Sequence, residues 1–221
     1  MGSYKPTPSE WTVESALSAL AYKPPKSPTS PIPFFHLLGL LKTTKREGWQ
    51  QVGIASGESI ADHMYRMSIM TMLCPPSLAS KLNLSHCVQM SLVHDMAECL
   101  VGDITPLNKD ITKAEKSRRE LLTMEYIGNS LIGGAPGGAS AQEKLMGLFR
   151  EYEDNITLEA QFVHDVDKVE MILQVVEYER SQKRDLSEFY HVVGAIRLPE
   201  MQEWATVVLK EREALGISSK N

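Results

Sequence analysis

The sequence predicts an all-α fold, on three observations. Apolar residues recur at three- and four-residue spacing from about residue 34 to residue 213, the period of helices that bury one face. No alternating run of β-branched residues lasts long enough for a strand. The two strongest breakers, a Pro-rich tract at 23–33 and "GGAPGG" at 133–138, fall between periodic segments and not inside them.

Residues 1–33 read as an N-terminal extension. A short helix is expected over 9–20 with Ser9 as its N-cap. "KPPKSPTSPIP" then carries five prolines in eleven residues, the composition of an extended, poorly packed linker. One domain follows over 34–215, with a tail at 216–221. Its helices are expected at 34–45, 58–73, 77–82, 86–99, 112–132, 140–154, 157–181 and 196–213.

In helix 58–73, Ile60, His63, Met67 and Met70 share a stripe, which turns His63 inward. In helix 86–99, Ser85 is placed as N-cap, and Val88, Leu92, Asp95 and Cys99 form a buried stripe. His94 stands next to that stripe. Glu98 follows His94 by four residues and Asp95 by three, so the three share a broad face. Helix 112–132 opens on "KAEKSRRE", where Lys116, Arg118 and Arg119 either draw in an anion or solvate the helix. "GGAPGG" lacks the Gly-Lys-Ser/Thr ending of a phosphate-binding loop and reads as a surface loop. In helix 157–181, Val166, Val169, Leu173 and Val176 mark the apolar face, and residues 163, 167, 170 and 174 form a second stripe. Periodicity puts Asp165 nearer the apolar face than Asp167 and does not choose between them as site residues.

The 221 residues carry a formal net charge of -5, which argues against a nucleic acid polymer as partner and leaves room for a small anionic substrate. Cys74, Cys87 and Cys99 include no CxxC pair and fit reduced thiols in the cytoplasm. No apolar run approaches the roughly 18 residues of a bilayer span, so no membrane partner is expected. "MGSYKPTPSEWTVE" has no signal-peptide core and is a weak myristoylation match.

The chemistry concentrates in "LVHDMAECLVGD", residues 92–103. Charge inside an apolar segment is costly unless it is paired or bound to a metal. An imidazole and a carboxylate on one face can share a divalent cation. The order is His63, then His94-Asp95 about 30 residues on, then an Asp about 70 residues later.

This pattern resembles the HD-domain metal-dependent phosphohydrolase superfamily. "KREGW", "ESIADHMYRM", "LVHDMAECLVGDITP", "KAEKSRRE" and "DVDKVEMILQVVEYE" stand in the order and spacing of the HD domain-containing protein 2 group, eukaryotic relatives of the bacterial 5'-deoxynucleotidase. The likeness covers residues 34–213 and implies an HD-domain helical bundle with a buried metal site. It implies His63, His94, Asp95 and Asp167 as ligands of one divalent ion: Mn²⁺, Co²⁺, Fe²⁺, Zn²⁺ or Mg²⁺. Asp167 is taken over Asp165 because the family's last Asp precedes the Glu of an "EM" pair, here Glu170-Met171, by three residues.

Glu98 is then implied to orient or deprotonate the attacking water. Asp103 is implied as acid for the leaving 5'-oxygen, although by itself it reads as a turn or cap residue after Gly102. In the bacterial relatives an Arg-Trp pair binds phosphate and helps to exclude a 2'-hydroxyl. Here Arg46 and Trp49 are separated by Glu47 and Gly48, and Trp49 also reads as core. The implied activity is hydrolysis of 2'-deoxyribonucleoside 5'-monophosphates by a homodimer. Two rivals stand beside it: another HD phosphohydrolase, acting on a phosphodiester or a different monoester, and a non-catalytic metal-containing binding protein. Glu98 and Asp103 weigh against the second.

Overall fold

A computed structural model describes residues 11–26, 28–105 and 108–217. Ser9, the expected first N-cap, lies outside them. The fold is all-α. The helices are α1 (Val13–Ala19), α2 (Ile32–Leu38), α3 (Glu47–Gln51), α4 (Ile60–Met72), α5 (Pro76–Ala79), α6 (Leu84–Val93), α7 (Glu98–Val101), α8 (Lys113–Tyr126), α9 (Gly138–Asp154), α10 (Leu158–Gln182) and α11 (Pro199–Ala214). A 3₁₀ turn, Gly39–Lys42, prolongs α2, and π-type backbone, Ile127–Ile132, prolongs α8. Among the described residues, strand-like pairing is confined to an isolated bridge between Lys45 and Ser59.

The chain divides into two compact units. The first takes the described residues up to Ala61 together with Asp95–Met146. Its core is Leu37, Leu41, Trp49, Ile54, Met124, Ile127 and Leu131. α7 packs on α8 and on the 3₁₀ turn after α2. Gly102 closes α7 at φ 77°, a conformation that costs a glycine little, and the chain turns there into Asp103.

The extension is not a loose arm. α1 packs on α7 and α8, Val13 is buried, and Pro28 of the Pro-rich tract is buried as well. The basic residues of α8 explain the docking. Arg118 donates to the Trp11 carbonyl at 3.0 Å, and the Arg119 guanidinium lies 5.5 Å over the Trp11 ring. Both arginines are held by Glu115.

Hydrogen bonds from Arg118 and Arg119 pull the Glu115 carboxyl down to about 2. Its contribution is therefore complete above the ordinary 4.5 and is lost as pH falls towards 2. α1 is expected to loosen across that window, read as increasing pepsin cleavage near Trp11. Glu115→Gln should show the loosened pattern already at the upper end of the window.

The second unit takes Asp62–His94 and Gly147–Asn221. α10 is its axis. Phe162, Val163, Val166, Ile172, Val175 and Val176 are fully buried, and α6, α11 and a 3₁₀ segment (Ser187–Ala195) pack around them. Thr157 caps the start of α10 by accepting the Ala160 N–H. Lys183, in the left-handed conformation, ends it. Below that end, Glu179 is fully buried and accepts from the Leu186 N–H, the Tyr190 hydroxyl and the Arg212 guanidinium. A buried carboxylate needs that degree of satisfaction.

The largest departure from expectation concerns helix 86–99. It is capped by Asn83, not Ser85, and it stops at Val93. Beyond it the bonding tightens from four-residue to three-residue steps: His94 N–H still reaches Met90, but Glu98 N–H bonds Asp95 and Cys99 N–H bonds Met96. Leu92, expected on the buried stripe, is 46% exposed. The helix expected to carry His94, Asp95 and Glu98 therefore ends before all three. α3 and the 3₁₀ segment before α11 were not foreseen, being too short for periodicity to register.

Candidate active site

The second unit brings His63, His94 and Asp167 together. One donor atom from each lies within 4.8 Å of the other two. His63 comes from the buried side of α4, His94 from the end of α6 and Asp167 from α10. The rings of His63 and His94 meet edge to face at 5.6 Å.

Hydrogen bonding sets the tautomers. His63 Nδ1 lies 2.6 Å from Glu170 Oε2, and His94 Nδ1 lies 3.0 Å from the Ser91 carbonyl. Both acceptors require an N–H at Nδ1, which leaves the lone pair on Nε2. His63 Nε2 then faces Asp167 Oδ1 at 3.2 Å, lone pair against carboxylate. A divalent cation turns that opposition into coordination, so the donor set fits a metal of mixed N/O preference. Tyr152, on α9, donates to Asp167 Oδ2 at 3.3 Å, and its ring packs on His94 at 4.8 Å.

Asp165, the other candidate on α10, has a different neighbourhood. Its Oδ2 accepts the backbone N–H groups of Arg197 (2.9 Å) and Leu198 (2.7 Å), at the start of α11. Its Oδ1 is 3.6 Å from Lys168 Nζ. His164 stacks on Tyr152 at 3.9 Å and donates to the Tyr152 carbonyl. Burial holds the His164 pKa below its ordinary value, so the ring is neutral near pH 7.

The first unit begins its second segment at Asp95, the residue after His94. Asp95 Oδ2 pairs with Arg46 Nη1 at 3.2 Å. Glu98, at the start of α7, is 1% exposed and lies 3.3 Å from Lys116 Nζ on α8. Burial pushes the Glu98 pKa well above the ordinary value, and Asp95 and Asp103 add to this; Lys116 and Arg46 oppose it. Burial works against the charge on Lys116, but Glu98 and Glu120 outweigh it and keep the ammonium protonated. Asp103 Oδ2 accepts the Glu47 N–H at 2.6 Å, at the start of α3, next to Arg46. Trp49 is 2% exposed, with its indole N–H on Glu58 Oε1 at 3.0 Å.

The HD domain family matches residues 38–204 of the chain. This chain belongs to the HD domain family. It is 48% identical over 191 residues to 5'-deoxynucleotidase hdd1 of Schizosaccharomyces pombe, covering 85% of this chain and 92% of that one. It is 38% identical over 213 residues to 5'-deoxynucleotidase YGK1 of Saccharomyces cerevisiae, covering 96% and 95%. Its fold is similar to the solved structure of HD domain-containing protein YGK1, with a TM-score of 0.63 at 29% identity over 96% of this chain and 97% of that one.

Periodicity did not single out the groups that contact His63 and Asp167 or hold those contacts in place: Tyr152, Glu170 and Arg66. One signal for Glu170 was present. The second stripe of α10 joins Asp167, Glu170 and Gln174, and each of those three makes a polar contact with another element. Among the described residues no helix is long and apolar enough to cross a membrane.

Proposed function

We propose that this HD domain is a metal-dependent 5'-deoxynucleotidase that converts 2'-deoxyribonucleoside 5'-monophosphates and water into deoxynucleosides and phosphate. The observation that carries the reading is the His63–His94–Asp167 cluster, with both imidazoles oriented through Nδ1, in a chain whose relatives bear that name. Asp95 completes the proposed ligand set as His94's neighbour in the chain. A bound divalent ion supplies charge neutralisation at the phosphoryl group and a more acidic water.

The protein groups do the rest. Glu98 takes the proton of the attacking water, its elevated pKa suiting a general base and Lys116 keeping its carboxylate in place. Arg46 binds the phosphate oxygens, an anion that a guanidinium matches in charge and shape. Asp103 is assigned to the leaving 5'-oxygen, and its bond to the Glu47 N–H ties it to the segment carrying Arg46. Trp49, buried against Glu58, shapes that segment and through it the discrimination against a 2'-hydroxyl.

The test is phosphate release from metal-stripped protein. The four deoxynucleoside 5'-monophosphates and their ribo counterparts are offered with Mn²⁺, Co²⁺, Mg²⁺ or Zn²⁺ returned singly. Metal-dependent preference for the deoxy series is expected. Turnover of other phosphate esters alone would select another HD phosphohydrolase, and metal binding without turnover a binding role.

A homodimer and a cytoplasmic location belong to the same proposal. The solvent side of α4 presents Tyr65, Ile69 and Met72, with Leu73 just beyond, all exposed, a patch of the kind that marks an interface. Ile69→Asp is expected to halve the mass seen by light scattering with no loss of helical circular dichroism. The three cysteines are free thiols, as suits a reducing compartment.

A further inference from the structure

We propose that Glu170, held by Arg66, is the positioning residue that fixes the tautomer of His63 and so makes it a metal ligand. The inference rests on the reading of His63 as a ligand and is confined to the second unit. Glu170 lies in α10 and is completely buried, as is His63 in α4. An ionised carboxylate in such a place is expensive unless each oxygen is satisfied.

Both oxygens are satisfied, by groups of opposite kind. Oε1 accepts from Arg66 Nε at 2.8 Å and lies 2.7 Å from Arg66 Nη2. Oε2 accepts from His63 Nδ1 at 2.6 Å. Arg66 is itself clamped, with Nη2 donating to Gln174 Oε1 at 2.7 Å and Nη1 donating to Glu177 at 2.8 and 3.0 Å. Glu170, Gln174 and Glu177 stand four and three residues apart, on one face of α10. Arg66 stands three residues after His63, on one face of α4. One helix face therefore grips the turn of the other that carries the ligand.

The direction of the hydrogen bonds gives this grip a consequence. Arg66 can only donate, so it claims an oxygen and nothing else. The remaining oxygen can only accept, so it demands a proton at His63 Nδ1. Nε2 must then carry the lone pair, and that is the atom facing Asp167. Negative charge on Glu170 also makes the imidazole a stronger donor to a metal. A salt bridge that served packing alone would need Arg66 and Glu170 but not the 2.6 Å bond to the ring.

Glu170→Gln tests the idea because the amide is the same size with one acceptor replaced by a donor. Arg66 retains the amide oxygen, the NH₂ group is turned to Nδ1, and the proton of His63 is driven to Nε2, which blocks coordination. Full-length protein is titrated with Mn²⁺ and Zn²⁺ against a competing chelator, without substrate. Glu170→Gln is expected to lower metal affinity roughly 10- to 100-fold. Histidine ¹⁵N spectra of the metal-free protein should show the His63 proton move from Nδ1 to Nε2. Adding Arg66→Met frees the amide to turn its oxygen back, so the double variant is expected to bind metal more tightly than Glu170→Gln alone.

A folded Glu170→Gln protein with wild-type affinity and an unmoved tautomer would overturn the proposal. If Glu170→Gln does not fold, Arg66→Lys decides. Lysine cannot make the two-pronged contact, so a several-fold loss of affinity is expected and an unchanged affinity refutes the positioning role. Wild-type protein that binds neither ion would overturn the ligand reading itself. A metal-binding protein that hydrolyses no deoxynucleotide would overturn the substrate assignment and leave this inference standing.

Discussion

Asp167→Ala is expected to lose its metal and about a thousandfold of its phosphate release, while Asp165→Ala keeps both and loses stability. The two residues are separated by one position on α10 and differ in what they face. Asp167 Oδ1 lies 3.2 Å from His63 Nε2 inside the donor cluster. A metal's charge stabilisation at a phosphoryl group is worth several kcal/mol, and about 4 kcal/mol corresponds to a factor near a thousand. Asp165 instead accepts two backbone N–H groups at the start of α11. Removing it takes the acceptor from two part-buried backbone donors, at up to about 1–3 kcal/mol each. With partial relaxation the net cost is about 2–4 kcal/mol, which lowers the melting temperature by roughly 5–15 °C in a chain of this size. Metal content by atomic emission, initial rates and a thermal melt on both variants check the pair. Asp165→Ala losing its metal while Asp167→Ala retained it would reverse the ligand assignment.

Glu98→Gln is expected to lower kcat by roughly a hundred- to ten-thousandfold, the contribution of a positioned base, with KM and metal content close to wild type. Glutamine keeps the length of the side chain and still accepts from Lys116, so the α7–α8 contact survives. What disappears is the ability to take a proton. Glu98 is nearly inaccessible and lies between the acids Asp95 and Asp103, which disfavour its charge, and the cations Lys116 and Arg46, which favour it. That balance suits a base that must gain and release a proton in each turnover. Rates at saturating and at low substrate separate kcat from KM. A variant with full kcat would remove Glu98 from the chemistry.

These two experiments divide along the line between what the sequence could and could not decide. Long helices were legible because burial of one face imposes a period: α4, α9, α10 and α11 fall within a few residues of their expected bounds. Inward placement of His63 followed from the same stripe. Candidate ligands were legible through the resemblance, since the motifs hold their order and spacing. Short elements were not, because α3 and the 3₁₀ segment before α11 are too brief to show a period. The extension misled for a related reason. Five prolines in eleven residues argue against regular structure in the tract, but they do not prevent α1 from docking through Trp11.

By itself the sequence determined an all-helical chain, a membership in one family and a short set of acids and imidazoles from which a metal site could be drawn. Tertiary structure decided what each of those groups faces. It turned Asp165 to the backbone at the start of α11 and Asp167 to His63, a choice that periodicity could not make because it ranks the two acids by burial and not by what each one meets. It ended α6 at Val93, before His94 and Asp95. It set Arg118 and Arg119 on Glu115 and Trp11. It also supplied the Arg66–Glu170–His63 chain, in which Glu170 stands 104 residues from Arg66 and 107 from His63 in sequence. Periodicity reports which side of a helix is buried; a hydrogen bond between two helices depends on how their faces meet, and that is fixed only when the helices pack.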